Sequence, residues 1–371
     1  MLRGRYGEML PSAAVRECVM MGALALAIRK CKLPFSWMRW AMRAGDARIG
    51  SRAGRLASRR RSALLSYSYY GYSAFQTATA GVPRILFQLH PHPVTVRRIL
   101  TRELQRFPEC ATSLLKEWEL ALPESDFRKL VEETGMAQHW IVASSFTRAT
   151  LIDNGAPEER VFVAPYGINL ERFRVKQNSE WHNSGTLKLL FVGTINQRKG
   201  IRYLLEALDL VKTKQVQLVV CGRVVDDLEI FKAYAGRVDI RPSVSRNELI
   251  AAYHECDLFI FPSLAEGFGH VLLEAMACGL PIVSTTRTAA VDLVKPASEG
   301  FIVEPCRADL LAERIDWALS HRRDLAFMGL AARARAETFT WARFRERIRD
   351  ILDEILCAHC GHTAEAVSLH V

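Results

Sequence analysis

Glu266 and Glu274 stand eight positions apart, and Gly267-Phe268-Gly269-His270 begins the stretch between them. The apolar run Leu258-Phe259-Ile260-Phe261 precedes them and is stopped by Pro262-Ser263, while Gly279 and Pro281 punctuate the chain after Glu274. A strand, a glycine-rich turn and a helix start make an anion site, because the free N–H groups of the first helical turn point at the ligand. A second chemical cluster lies upstream in Gly193-Thr194-Ile195-Asn196-Gln197-Arg198-Lys199-Gly200. Arg198 can hold two phosphate oxygens in a fork and Lys199 acts as a point charge, so the pair reads as a diphosphate clamp carried on a surface turn. His90-Pro91-His92-Pro93 ends another apolar run, and either histidine could enter a site there. Val244 and Leu249 flank Ser245 and Glu248, a pair that also fits a helix capping box.

These residues need elements to hold them. Short apolar runs recur at Leu187–Gly193, Val216–Gly222, Leu258–Phe261, Pro281–Ser284 and Phe301–Val303, with helical patterns such as Ile201–Val211 between them. Strand and helix in alternation imply a parallel, doubly wound α/β sheet, whose buried strands are uniformly apolar. Ligands bind at the carboxyl ends of such strands, and Gly193, Gly222 and Ser263 stand there. Earlier, Arg84–His90, His139–Ser144 and Val161–Pro165 read as strands, with Ala63–Tyr70 as a fourth. The polar stretch Gln177–Gly185 suits a boundary between domains 1–176 and 177–340, with a crossover helix and polar tail in 341–371.

The string from Glu266 to Glu274, continued by Ala275-Met276-Ala277-Cys278-Gly279-Leu280-Pro281-Ile282-Val283, resembles the C-terminal signature of the family-4 retaining glycosyltransferases, the glycosyl transferases group 1. The plain alternative for the string is a βα unit with two solvated glutamates. The resemblance extends over roughly Arg84 to Trp341 and includes Pro165-Tyr166-Gly167-Ile168-Asn169. It implies the GT-B fold: two Rossmann-like, doubly wound domains facing a cleft. It implies transfer of a sugar, hexosyltransferase-type, from a nucleotide-diphosphate sugar to an acceptor hydroxyl in glycan or glycolipid synthesis. In that scheme Glu274 holds the ribose, and Glu266 supports the reacting sugar. Gly193, Thr194, Arg198 and Lys199 meet the diphosphate, although many relatives have Arg where Thr194 stands. Gly267, Phe268, Gly269 and His270 line the sugar and phosphates, and Val244 and Leu249 seat the base. One histidine touches the transferred sugar, with His90 the better match and His92 open. The family opens with an apolar strand and a glycine-rich loop, and Met1 to Arg61 holds neither. Either the acceptor half is shortened or the chain lacks its true start. An alternative is therefore a weak or inactive GT-B nucleotide-sugar-binding protein.

At 371 residues the chain suffices for two domains, and 49% hydrophobic with 24% charged residues is a globular composition. The net charge of +10 is concentrated: Met1 to Arg61 carries about 14 basic and about 3 acidic residues. That segment suits an anionic partner, whether membrane headgroups, phosphate-bearing substrates or nucleic acid, and the first of these would make a cytoplasmic protein peripheral on the inner face of a membrane. It lacks the aromatic interleaving of a nucleic-acid module. Val19–Ile28 is too short to span a bilayer and reads as a helix lying on protein or on a membrane. Nine cysteines without a framework fit a reducing compartment. Cys357-Ala358-His359-Cys360-Gly361-His362 has a metal-knuckle look but no second ligand pair, so a polar tail is expected. There is no Asp-x-Asp, and the scheme needs neither metal nor cofactor.

Overall fold

The structure, a computed structural model, describes residues 35–176, 185–225 and 228–361. The chain divides into two units, residues 1–86 with 132–138 and residues 87–131 with 139–371. The expected Val19–Ile28 helix lies outside the described residues, as does the expected boundary stretch except for Gly185.

In the smaller unit, the helix Phe35–Arg60 packs on the helix Tyr72–Thr77. Thr77 Oγ1 donates to the Ser51 carbonyl at 3.2 Å, and the Thr79 N–H donates to Ser58 Oγ at 2.9 Å. Ala57 is buried, whereas Arg48, Ile49, Arg52, Arg55, Leu56, Arg59 and Arg60 are exposed. At 100° per residue these exposed positions fall on one arc of the helix. Glu133 is buried beneath the turn that follows β1 (Leu64–Tyr67). Its carboxylate accepts from the N–H groups of Tyr69 at 2.7 Å, Gly71 at 2.9 Å and Tyr72 at 3.0 Å. Burial pushes its carboxyl up to about 7, against the pull of those three donors. The expected strand Ala63–Tyr70 is therefore shorter, because its last residues turn to close around a carboxylate.

β2 (Arg84–Gln88) also ends earlier than expected. It is followed by β3 (His139–Val142) and β4 (Val161–Val163), and the four-stranded sheet has the order β1-β2-β3-β4. The larger sheet contains β5 (Leu187–Val192), β6 (Val216–Cys221), β7 (Val238–Arg241), β8 (Leu258–Phe261), β9 (Ile282–Thr285) and β10 (Gly300–Val303). Its order is β10-β9-β8-β5-β6-β7, and every pairing in it is parallel. β7 is absent from the sequence reading. As an edge strand, Val238-Asp239-Ile240-Arg241 is only half-buried and alternates, so it lacks the apolar run of its neighbours. β5, β6, β8 and β9 are almost wholly buried. No described helix is long and apolar enough to cross a membrane. The helix Trp341–Gly361 passes through Cys357 and His359, while His362 lies outside the described residues.

Chain order reverses between β5 and β8. From β5 the sheet grows to β6 and β7 on one side, and from β8 to β9 and β10 on the other. Leu189 pairs with Leu258 and Leu190 with Phe259 across that junction. The turns leaving these two strands therefore open into one crevice, the place where an open α/β sheet binds ligands.

The opposite end of β8 is closed by ions. The Lys176 and Asp257 side chains are 0% and 1% exposed, and Lys176 Nζ lies 3.6 Å from Asp257 Oδ1. Lys176 Nζ also donates to the Cys256 carbonyl at 2.8 Å. Asp257 Oδ2 accepts from the Lys188 N–H at 2.9 Å and from Arg322 Nη1 at 3.2 Å. A buried carboxylate that loses a partner keeps its desolvation cost, so Lys176→Met should destabilise the protein by about 3 kcal/mol. Denaturant unfolding would measure this, and a midpoint equal to wild type would remove the ion from the stability argument.

Candidate functional site

The residues of this site belong to the larger unit. The turn after β5 and the turn after β8 are stitched together. The Leu264 N–H donates to the Arg198 carbonyl at 2.9 Å, and Arg198 Nε donates to the Ala265 carbonyl at 3.1 Å. Gly200 lies against the Pro262 carbonyl, and a Cβ on it would come within 2.1 Å of that oxygen. Its φ of 75° is the left-handed conformation that glycine adopts without strain.

This stitching puts the cations on carboxylates. Lys199 Nζ donates to Glu266 Oε2 and stands 5.3 Å from the centre of the Phe261 ring. Arg198 Nη1 donates to Glu117 Oε2 at 2.8 Å and lies 3.6 Å from Glu119 Oε2. The side chains of Arg198 and Lys199 are only 11% and 18% exposed, which corrects the expectation that the pair sits in a surface turn. A sequence window shows the turn residues but not the carboxylates and rings brought over them. Burial, then the Arg198 charge, holds the Lys199 ammonium down to about 7, while Glu117 pulls it up. Contact with Glu266 also favours the charged form.

Glu266 is fixed on both sides of its turn. Its N–H donates to the Arg287 carbonyl at 3.0 Å. Next to it, the Gly267 carbonyl accepts from Ser144 Oγ at 2.6 Å and from Thr147 Oγ1 at 3.2 Å. A Cβ on Gly267 would come within 2.0 Å of the Leu89 carbonyl. That contact brings the end of β2 against the acidic turn, and His90 with it. Burial, then Arg198 and Lys199, lowers the His90 imidazole to about 4, with Glu117 acting the other way. It is neutral at pH 7. His92 plays a different part. Its Nδ1 accepts from the Val94 N–H at 3.3 Å, capping the helix Pro93–Arg106, and its backbone N–H donates to Thr150 Oγ1 at 3.0 Å. Burial lowers it to about 4 as well. Of the two histidines, His90 is the one coupled to the cation pair.

The helix His270–Ala277 begins at Gly269. Phe268 is buried, and its ring meets Tyr166 edge-on with centroids 5.0 Å apart. The His270 ring stacks on the same tyrosine at 4.9 Å. Glu274 lies on this helix, half-buried, and its Oε2 accepts from the Tyr253 hydroxyl at 3.0 Å. Burial raises the Glu274 carboxyl, opposed by that hydrogen bond and by the Arg246 charge. Tyr253 is fully buried and cannot turn its hydroxyl to water. One oxygen of Glu274 is thus held in place.

Gly193 continues the ladder beyond β5, its N–H donating to the Cys221 carbonyl at 3.0 Å. Thr194 follows, half-buried. Val244 and Leu249 pack on the edge of the hydrophobic core. Between them Ser245 and Glu248 complete a capping box on the helix Arg246–Glu255. The capping reading of this stretch therefore holds, whatever else it does. Glu117, Glu119, Ser144 and Tyr253 are not legible as site residues in the sequence. They are more than twenty residues distant in sequence from the groups they touch or belong to separate motifs, and only tertiary contact joins them.

Residues 173–335 match the family described as Glycosyl transferases group 1. The D-inositol 3-phosphate glycosyltransferase of Pseudarthrobacter chlorophenolicus is 29% identical over 248 residues, covering 62% of this chain and 59% of that protein. The capsular polysaccharide biosynthesis glycosyltransferase CapM of Staphylococcus aureus is 27% identical over 211 residues, covering 53% and 56%. The chain thus spans somewhat more than half the length of these curated relatives. Among solved structures, sucrose-phosphate synthase from Thermosynechococcus elongatus is similar with a TM-score of 0.61 at 20% identity, over 80% of this chain and 74% of that one. Anabaena Alr3699/HepE in complex with UDP-glucose is similar with a TM-score of 0.59 at 20% identity, over 78% of each chain.

Proposed function

We propose that this chain, whose residues 173–335 are a glycosyl transferases group 1 domain in a GT-B fold, transfers a sugar from a nucleotide-diphosphate donor to an acceptor hydroxyl with retention of configuration. The observation that carries the reading is the meeting of Lys199 and Glu266 at the β5/β8 junction, with Glu274 on the helix that follows and oriented by Tyr253. A carboxylate can accept from both hydroxyls of a ribose. The solved relative whose description includes UDP-glucose supports a nucleotide-sugar donor. The named activities of the curated relatives support a product in glycan or glycolipid synthesis.

In the proposed reaction the bond from the anomeric carbon to the phosphate oxygen breaks, and a bond to the acceptor oxygen forms on the same face. The acceptor proton passes to the departing diphosphate, so no protein nucleophile is needed. Negative charge grows on the leaving group. Arg198 and the helix start at Gly269 supply positive potential there, joined by Lys199 in its charged form, which the incoming anion favours. Gly193 and Thr194 border the phosphates, Gly267, Phe268 and His270 the sugar, and Val244 and Leu249 the base. Glu266 faces the reacting sugar and holds Lys199. His90, neutral at pH 7, hydrogen-bonds a sugar hydroxyl without adding charge. This scheme assigns no metal and no cofactor.

We further place the protein in the cytoplasm, peripheral on an anionic membrane face. The arc of exposed arginines around Ile49 and Leu56 supports this: basic and apolar side chains on one helix face suit lipid headgroups.

A thermal-shift screen against UDP-, GDP- and ADP-sugars should show one base stabilising the protein. With that donor, Glu274→Gln should weaken binding by roughly 1.5–3 kcal/mol in calorimetry, because the charge-assisted ribose bonds are lost. Tyr253→Phe should weaken it less. Unchanged affinity in Glu274→Gln would remove the ribose assignment. Turnover should persist in excess EDTA, and complete loss restored by magnesium or manganese would overturn the metal-free scheme. For the membrane reading, co-sedimentation with vesicles containing phosphatidylserine should fall when Arg48, Arg55 and Arg59 are changed together to Glu. Equal sedimentation of this variant and wild type at low salt would end that proposal.

A further inference from the structure

The turn after β5 presents its polar groups to a carboxylate of this same chain. Glu117 Oε1 accepts from Asn196 Nδ2 at 2.8 Å, and Glu117 Oε2 accepts from Arg198 Nη1 at 2.8 Å. Both donors belong to the turn, and both are held in position. Asn196 is buried, and its Oδ1 accepts from the Lys199 N–H at 3.2 Å, which leaves its NH2 aimed at Glu117. Arg198 is fixed through Nε on the Ala265 carbonyl, and Glu119 lies 3.6 Å away as a second anion. The Glu117 side chain is 15% exposed, and that of Glu119 is 1% exposed.

Two carboxylate oxygens bridging an amide and a guanidinium use the same donors that two oxygens of a phosphate would use. The chemistry of the pocket is that of an anion site already holding an anion. A diphosphate entering it meets Glu117 as a like charge in a poorly solvated place, where repulsion is strong. We propose that Glu117 is an internal counter-ion that occupies the seat of the donor diphosphate, and that donor binding transfers Arg198 and Asn196 from Glu117 to the phosphates. The inference rests on the donor reading above and adds to it a residue that sets the donor affinity. It also keeps Arg198 ordered before a donor arrives: the guanidinium is paired at all times, first by the protein and then by the substrate.

The test is calorimetric titration of wild type and Glu117→Gln with the nucleoside diphosphate that binds wild type most tightly among UDP, GDP and ADP, and with the matching nucleoside. Glu117→Gln keeps the shape and removes the charge. It should bind the diphosphate about tenfold more tightly and the nucleoside with unchanged affinity. Equal or weaker diphosphate binding would overturn the inference and make Glu117 a strut that positions Arg198. Should Glu117→Gln melt well below wild type, Glu117→Ala carries the same comparison. Failure of wild type to bind any nucleoside diphosphate would remove the donor reading and this inference with it. Binding by wild type without tightening in the variant would remove this inference alone.

Discussion

The close approach of Gly267 to the Leu89 carbonyl is the contact on which the site depends. No side chain fits between these backbones, since a Cβ would fall 2.0 Å from the oxygen. At that distance the end of β2 and the turn after β8 are held as neighbours, and Ser144 and Thr147 fasten the Gly267 carbonyl from β3 and its following helix. Glu266 leaves this fixed point toward Lys199, and Phe268 leaves it toward Tyr166. A larger residue at 267 would displace both together. Packed backbones of this kind do not yield gradually, because protein interiors have little free volume.

The second constraint is electrostatic. The cations of the site are mostly covered, and covered charge is costly unless paired. The pairings seen are Lys199 with Glu266 and Arg198 with Glu117 and Glu119. The partners come from separate segments, so charge neutralisation also draws those segments together. His90 stays neutral in this field because burial, and then the two neighbouring cations, disfavour its protonation. A neutral imidazole there can hydrogen-bond a polar ligand without disturbing the balance. At the other end of β8 the same rule operates without a ligand, where Lys176, Arg322 and the Lys188 N–H surround Asp257. One strand therefore has an ion cluster at its start and another beyond its end.

Much of this architecture is legible in the chain. The apolar runs of β5, β6, β8 and β9 are visible because strands buried on both faces must be apolar throughout, and β10, although an edge strand, keeps an apolar Phe301-Ile302-Val303. Gly200, Gly267 and the two glutamates stand out because residue type and spacing restrict what backbone and charge can do locally. The edge strand β7 escapes, since half-burial leaves an alternating pattern that a polar loop also shows. β1 reads too long because the turn around Glu133 is filled with tyrosine and serine, residues equally at home in a strand.

By itself the sequence determined the alternating α/β pattern, the positions of the two glycine turns and the kinds of charge placed beside them. These are properties of short windows, set by periodicity, backbone freedom and ionisation. Only the tertiary structure decided which charges meet. It put β8 beside β5, so that turns about seventy residues apart share one crevice. It gave His92 a helix to cap and left His90 in the field of Arg198 and Lys199. It paired Tyr253 with Glu274, and seated Arg198 on Glu117 instead of leaving it in water. The physical reason is that pairing energies and desolvation fall off within a few ångströms, and distance in space between segments is fixed by strand order and packing, which no local window contains.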